Sequence, residues 1–353
     1  MPETAPESKS ADSAEPDFSG VLAEAAAQGI HCMPIPTPFA VGRVNCYLLE
    51  GDPLTLIDAG PRSDQSLAEL EKKVGEIGYD LSDIDLVVAT HQHIDHIGMI
   101  QTVVDRSGAE VASLDLAVKR LAEFTLDNEL DDQMAVNLMK RSGVPAEIAD
   151  RLKELTASFR DWGNPVIVTQ PVAVGTWIQM GHRKYEVLHR PGHSPSDTLF
   201  WDPERKLMIG GDHLLSHISS NPLISKPLDG SSSRTRALID YRHSLRETAK
   251  MPIDLMFGGH GDPILDHVDL IEKRLASQDR RTEKIYELVR EQPRTGHAIA
   301  DAIWGNIALT QAFLTLSEVI GHLDILIEDG RVAETTGKAE GSDQDLTIYE
   351  ATS

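Results

Sequence analysis

The stretch Thr90-His-Gln-His-Ile-Asp-His-Ile-Gly98 places three imidazoles and one carboxylate within the six residues from His91 to His96. Packing of a core needs no such spacing, whereas a divalent transition metal favours imidazole nitrogen and carboxylate oxygen. Immediately upstream, the apolar run Ile84-Asp-Leu-Val-Val-Ala-Thr90 reads as a buried strand, so the cluster lies at a strand's C-terminal end. Three more candidates share that setting. His193 follows a strand in Arg190-Pro-Gly-His193-Ser, Asp212 follows one in Gly210-Gly-Asp212-His, and His260 follows one in Gly258-Gly-His260-Gly. Glycine lets backbone pass close to a metal and adopts dihedrals closed to other residues. Recurrence at strand ends points to one shared rim. Four ligands close in sequence and three distant ones exceed what one ion uses, and two ions a few ångströms apart would employ them all.

Outward from this centre, the pattern alternates strand and helix. Val44 to Glu50 and Leu54 to Gly60 read as strands, the second ending in a loop at Asp58, and Ser66 to Ile77 carries apolar residues at helical spacing. Residues 114–161 break the rhythm with several helical patterns, including Leu116, Leu121 and Phe124, then Met134, Leu138 and Met139. This insertion is expected either to form a lid over an apolar substrate pocket or to pack on the scaffold or a second subunit, giving a homodimer. Strands resume at Val166-Ile-Val, Thr176-Trp-Ile, Tyr185 to His189, Leu199 to Trp201, Lys206 to Gly211 and Pro252 to Phe257. The catalytic domain is thus expected to span 18–267. Residues 268–333 read as a small helical module with a strand-turn-strand at Ile325 to Val332, in winged-helix order. Residues 1–17 read as a disordered tail and 334–353 as a flexible one.

The motif Thr90 to Gly98, with the later His, Asp and His, resembles the signature of the metallo-β-lactamase superfamily. The chain looks most similar to its hydrolytic branch, which includes glyoxalase II, lactonases and β-lactamase-like proteins with a C-terminal winged helix. The resemblance implies an α/β fold, a four-layer αβ/βα sandwich with the metals at one edge of two packed sheets. It implies that His91, His93 and His193 bind one ion, that Asp95, His96 and His260 bind the other, and that Asp212 bridges them. It further implies that Asp58, in Leu56-Ile-Asp58-Ala-Gly, braces the metal loop from behind. Met99 stands where many members carry Gly, a difference in packing that touches no ligand.

The expected chemistry is attack on an ester, thioester or lactone carbonyl by a hydroxide made from water shared by the two ions, with no Ser or Cys nucleophile. Asp95 is expected to serve as ligand, as proton carrier, or as both. Nitrogen and oxygen ligands suit zinc, iron and manganese alike, and zinc is the first expectation. After Asp212, His213, His217 and Asn221 either reach the substrate or only hydrogen-bond backbone.

The 353 residues carry 41% hydrophobic content and a net charge of −23, of which the two tails hold −4 each, leaving −15 for the rest. That sign repels phosphate backbones and anionic membranes. It weighs against the main alternative, a metal-dependent endoribonuclease, and Ser317 to Leu326 is poor in cations for a DNA-recognition helix. Cys32 and Cys46 form no CxxC motif and read as reduced thiols. No segment is long and apolar enough to span a bilayer, and no signal peptide is evident, so a cytoplasmic location is the default and β-lactam hydrolysis a poor first choice.

Overall fold

Short runs of β-branched and aromatic residues build two sheets that share one core. In the computed structural model, which describes residues 17–231, 233–338 and 345–352, the first sheet contains β1 (Ile30–Ile35), β2 (Val44–Leu49), β3 (Thr55–Ile57), β4 (Leu86–Val88), β5 (Glu110–Leu114) and β6 (Gln170–Val172), in that spatial order. β1 to β3 are antiparallel, and β3 to β6 run parallel. The second sheet contains β7 (Trp177–Met180), β8 (Arg183–His189), β9 (Thr198–Asp202), β10 (Leu207–Ile209) and β11 (Leu255–Phe257), with β10 and β11 parallel.

Because successive strand residues face opposite sides, the second sheet serves two clusters. Val187, Phe200, Leu207 and Ile209 join the large cluster with Leu48, Leu56 and Val87 of the first sheet. Their alternates Leu188, Leu199, Trp201 and Met208 face Tyr241 and Leu245 of the helix Ala237–Ala249 and Ile271 of the helix His267–Glu291. Leu70 and Val74 of the helix Asp64–Ile77 cover the other outer face. The layers are therefore helix, sheet, sheet, helix, the expected αβ/βα sandwich.

Two registers position the chemistry. Ile57 pairs with Val88, so Asp58 and the turn before His91 emerge side by side. Ile209 pairs with Phe257, so the Asp212 and His260 loops emerge together from the second sheet. A bridge between Val44 and His260 closes the gap between the sheets.

The insertion folds as three α-helices, Val118–Ala122, Phe124–Arg141 and Ala146–Ser158. Of its apolar stripe, Leu121, Phe124 and Met139 are buried, Met134 and Leu138 are half-buried, and Leu116 is exposed. Val136 and Met139 pack on Ile224 and on Ala312, Leu316 and Ile320 of the C-terminal module.

Several expected boundaries differ. Val166 to Val168 is not a strand: Val166 N donates to Leu121 O and Thr169 N to Val111 O, and pairing begins only at Gln170. Ile325 to Glu328, expected to open a strand, completes the helix Ala312–Glu328, whose buried face runs through Leu323 and Leu326. The strands of the module are β12 (Arg294–Thr295), β13 (Val332–Lys338) and β14 (Asp345–Ala351), in the order β12-β14-β13. The region 334–353, expected to be a flexible tail, supplies most of β13 and all of β14, because Val332, Thr347 and Tyr349 bury against the module's helices. The described elements of the module run helix, strand, three helices, strand, strand. The N-terminal tail 1–17 lies outside the described residues except for Asp17.

Candidate metal centre

At the rim where the two sheets meet, seven side chains converge. His91, His93, Asp95 and His96 come from the turn after β4, with Ile94–Ile97 forming a single short helical turn. His193 lies between β8 and β9, Asp212 follows β10 and His260 follows β11. Their ligand atoms fall into three overlapping groups: His91, His93 and His193; His91, His96 and Asp212; Asp95, His96 and His260. Within each group all atoms lie within 4.8 Å of one another.

Hydrogen bonds at the back of the rings explain why they converge. Asp58 is 1% exposed, accepts from Thr90 N at 2.9 Å and Thr90 Oγ1 at 2.7 Å, and accepts from His96 Nδ1 at 2.7 Å. With its proton given to Asp58, Thr90 Oγ1 accepts from His91 Nδ1 at 3.0 Å. His193 Nδ1 donates to Asn221 O at 3.2 Å, and His260 Nδ1 to Arg43 O at 2.7 Å. Four imidazoles thus have Nδ1 committed as a donor, which in the neutral ring leaves Nε2 a bare lone pair. Those lone pairs face one another or carboxylates. His93 Nδ1 lies 3.1 Å from His91 Nε2 and 2.9 Å from His193 Nε2, and a single proton can serve only one of these contacts.

The Asp212 carboxylate sits 3.4 Å from His96 Nε2 and 3.5 Å from both His193 Nε2 and His260 Nε2, while Asp95 Oδ2 is 3.3 Å from His260 Nε2. These separations are long for strong hydrogen bonds. His96 Nε2, His260 Nε2 and Asp212 Oδ1 are buried with no hydrogen-bond partner. Buried polar atoms are rarely left so, and nitrogens on one tetrahedral zinc, bound at about 2.0–2.1 Å, lie about 3.3 Å apart. The residues present therefore fit a metal ion.

Electrostatics follow the same division. Burial, reinforced by His96 and His93, holds His91 well below the ordinary imidazole range, and burial with His193 brings His93 down to about 3. Burial opposes charge on His96 and His260 too, but Asp212, with Asp58 and Asp95 at His96 and Asp95 at His260, raises both. Burial would raise Asp212, yet His260, His96 and His193 hold it well below the carboxylate range.

The ligand rim opens into a cavity of about 610 Å³. His93, Asp95, His193 and Asp212 line it together with residues of the loops at 39–41 and 215–225, the insertion and the C-terminal module. Asn221, a candidate for substrate contact, lines this cavity. The expectation for His213 is corrected: it is fully buried, bonded through Nε2 to Thr248 Oγ1 at 2.9 Å and stacked edge-on to Tyr241, so no substrate reaches it. His217 is exposed beside Gly261 and outside the cavity lining. Sequence reading missed Asn45 and Tyr47. Asn45 Nδ2 donates to Gly258 O at 3.1 Å and Gly261 O at 2.8 Å, and Tyr47 OH donates to Gly258 O at 2.6 Å, fixing the His260 loop. A polar Asn inside the fully buried strand β2 was the available signal.

A rim of histidines and aspartates at the edge of an αβ/βα sandwich defines a class of metal-dependent hydrolase. The chain belongs to the metallo-β-lactamase superfamily, whose model matches residues 40–260, and it is a metallo-hydrolase of that superfamily. The probable metallo-hydrolase YqjP of Bacillus subtilis is 34% identical over 292 residues, 83% of this chain and 90% of that protein. A metallo-beta-lactamase family protein from Thermus thermophilus superposes with a TM-score of 0.74 at 22% identity, covering 92% of this chain and 99% of that one. A beta-lactamase domain protein from Burkholderia ambifaria gives a TM-score of 0.71 at 21% identity, covering 92% and 93%. Among the described residues no helix is long and apolar enough to cross a membrane.

Proposed function

We propose that this chain hydrolyses a small carbonyl compound, an ester, thioester or lactone, using two divalent metal ions, zinc being the first expectation and iron or manganese suiting the same ligands. His91, His93 and His193 would hold one ion, Asp95, His96 and His260 the other, and Asp212 would be shared. The observation that carries this reading is the set of Nε2 atoms, each on a ring fixed by a hydrogen bond behind it, that converge on Asp212, Asp95 and His93: those of His96, His193 and His260 face the carboxylates and that of His91 faces His93 Nδ1. Bound there, the ions would supply a water ionised near neutral pH and positive charge for the oxygen that gains charge under attack.

The protein's own groups do the rest. Asp58 keeps His96 in the Nδ1–H tautomer and ties it to Thr90. Asp95 lines the cavity, and besides serving as a ligand it would take the water's proton and deliver it to the leaving group. The apolar cavity walls exclude water from the acyl side. Two partial relatives support the carbonyl assignment. The hydroxyacylglutathione hydrolase GloC of Haemophilus influenzae is 25% identical over half of this chain, 69% of that protein. The human acyl-coenzyme A thioesterase MBLAC2 is 30% identical over 36% of this chain, 40% of that protein. Nuclease action is disfavoured because the helix Ala312–Glu328 holds no Lys or Arg and is largely buried, leaving little to enter a groove.

Metal analysis of purified protein, followed by turnover of thioesters, lactones, aryl esters, phosphodiesters, a cephalosporin and short RNA, tests the reading. Bound metal with turnover of a carbonyl substrate is expected. His96→Ala should abolish it while circular dichroism stays native, because the core is formed elsewhere. Cleavage of RNA alone, or full activity in that variant, would overturn it.

A further inference from the structure

The metal rim is only part of the cavity's lining. The walls beyond it are predominantly apolar, and their apolar side chains include Leu121, Phe124, Val136 and Met139 of the insertion, Leu223 of the loop after Asp212, and Phe313 of the C-terminal module. Most charge in the same walls is paired, since Arg120 pairs with Asp127 at 2.7 Å and with Asp131, and Arg160 pairs with Asp132, while Lys153 donates to Gln133 Oε1 at 3.3 Å. A predominantly apolar space of about 610 Å³ that reaches metal-ligand side chains matches a ligand with a reactive polar head and a long apolar body.

We propose that this cavity binds the unbranched acyl chain of a fatty ester or thioester, and that the C-terminal module is a wall of that site rather than a nucleic-acid reader. The carbonyl lies at the rim by Asp95 and Asp212, and the chain runs between the insertion and Phe313. The chain-binding role rests on the carbonyl-hydrolase reading for its chemistry. Water oxygen bonds to the acyl carbon, the carbon–sulfur or carbon–oxygen bond to the leaving group breaks, and the water's proton ends on the leaving thiol or alcohol as the fatty acid is released. Packing holds the wall in place. Ala312 and Leu316 lock onto Val136 and Met139, and Arg234 binds Asp324 through two hydrogen bonds of 2.7 and 2.6 Å, tying the loop beyond Leu223 to the same helix.

Two readouts on the metal-loaded, full-length protein test this. The first is calorimetric binding of free fatty acids from butyrate to myristate. Affinity should rise about fourfold for each added methylene until the cavity is full, the ratio set by burying one CH₂. Ala135→Phe, which places a ring in the cavity from a half-exposed lining position, should move the plateau to shorter chains. Phe313→Ala should flatten the dependence by removing one wall. The second readout is kcat/KM for the matching acyl thioesters, which should follow the same profile. Chain-dependent binding without turnover supports the chain site and sinks the carbonyl-hydrolase reading. Turnover indifferent to chain length overturns the chain site and leaves that reading standing. Affinity that ignores chain length, or the same profile in both variants, also overturns it.

Discussion

Single residues at the rim are held by several hydrogen bonds at once. Asp58 adopts a positive φ of 55°, rare outside glycine, and in return presents both carboxylate oxygens to Thr90 and His96. Asp58→Asn keeps the size but puts an NH₂ where a proton acceptor is needed. The His96 ring then loses the partner that fixes its tautomer. Metal affinity should fall about 10- to 100-fold, as it does when such supporting partners are lost, and competition with a chromophoric chelator would measure it. Unchanged affinity would show that Asp58 only shapes the turn. Gly259 is packed directly against the ligands. A Cβ added there would sit 2.1 Å from Asp212 Oδ1 and 2.7 Å from His96 Cε1. Gly259→Ala must therefore displace the shared carboxylate or the loop. Since a misplacement of about 1 Å can reduce a rate about 100-fold, a loss of that order in kcat is expected. A variant with native kcat would mean that the loop yields freely.

At the scale of elements, the insertion and the C-terminal module stabilise each other through one small cluster. Leu316 is fully buried there between Met139, Val144 and Ile320. Leu316→Ala should destabilise the protein by about 2–5 kcal/mol, the range for emptying a packed leucine site. Urea unfolding would read this as a lower midpoint with an unchanged slope. A loss below about 0.5 kcal/mol, the scale of surface substitutions, would mean that the two elements do not depend on this contact. The legibility of the fold divides along the same lines. The rim strands were readable because β2, β4, β9 and β10 are buried on both faces, so apolar residues dominate β2 and β9 and fill β4 and β10. So was the cluster at 91–96, whose ligands are adjacent in sequence. β1 was missed because Pro34 sits inside it, pairing with Asn45 at the sheet edge. β13 was missed because Thr335 and Thr336 are exposed and only Val332 is buried, so the alternation of a half-buried strand is faint. The interior position of His213 depends on Thr248 and Tyr241, which lie 35 and 28 residues away, and no local pattern encodes that.

For the whole molecule, acid tolerance should depend on a histidine far from the metal rim. His322 is 2% exposed in the helix Ala312–Glu328. Thr282 Oγ1 gives its proton to Gln278 O and accepts from His322 Nδ1 at 2.8 Å. Burial, with Arg281 and Arg242 adding repulsion, lowers the imidazole from 6.5 to about 3. The folded protein thus keeps His322 neutral while the unfolded chain protonates it near its ordinary value. Between those two limits the unfolded state binds one more proton, so this residue's contribution to stability is intact above pH 6.5 and is lost progressively as pH falls toward 3. One proton corresponds to a slope of at most about 1.4 kcal/mol per pH unit. Protonation of the rim histidines and carboxylates also shapes the acid limb, but it is common to the wild type and to His322→Gln, which keeps a hydrogen-bonding group for Thr282 and cannot titrate. Urea unfolding of both proteins across this window should show a shallower acid decline in the variant, by up to one proton. Parallel curves would mean that His322 gains its proton in the folded state, through an opening of the module that exposes Thr282 and the helix Ala312–Glu328 to water.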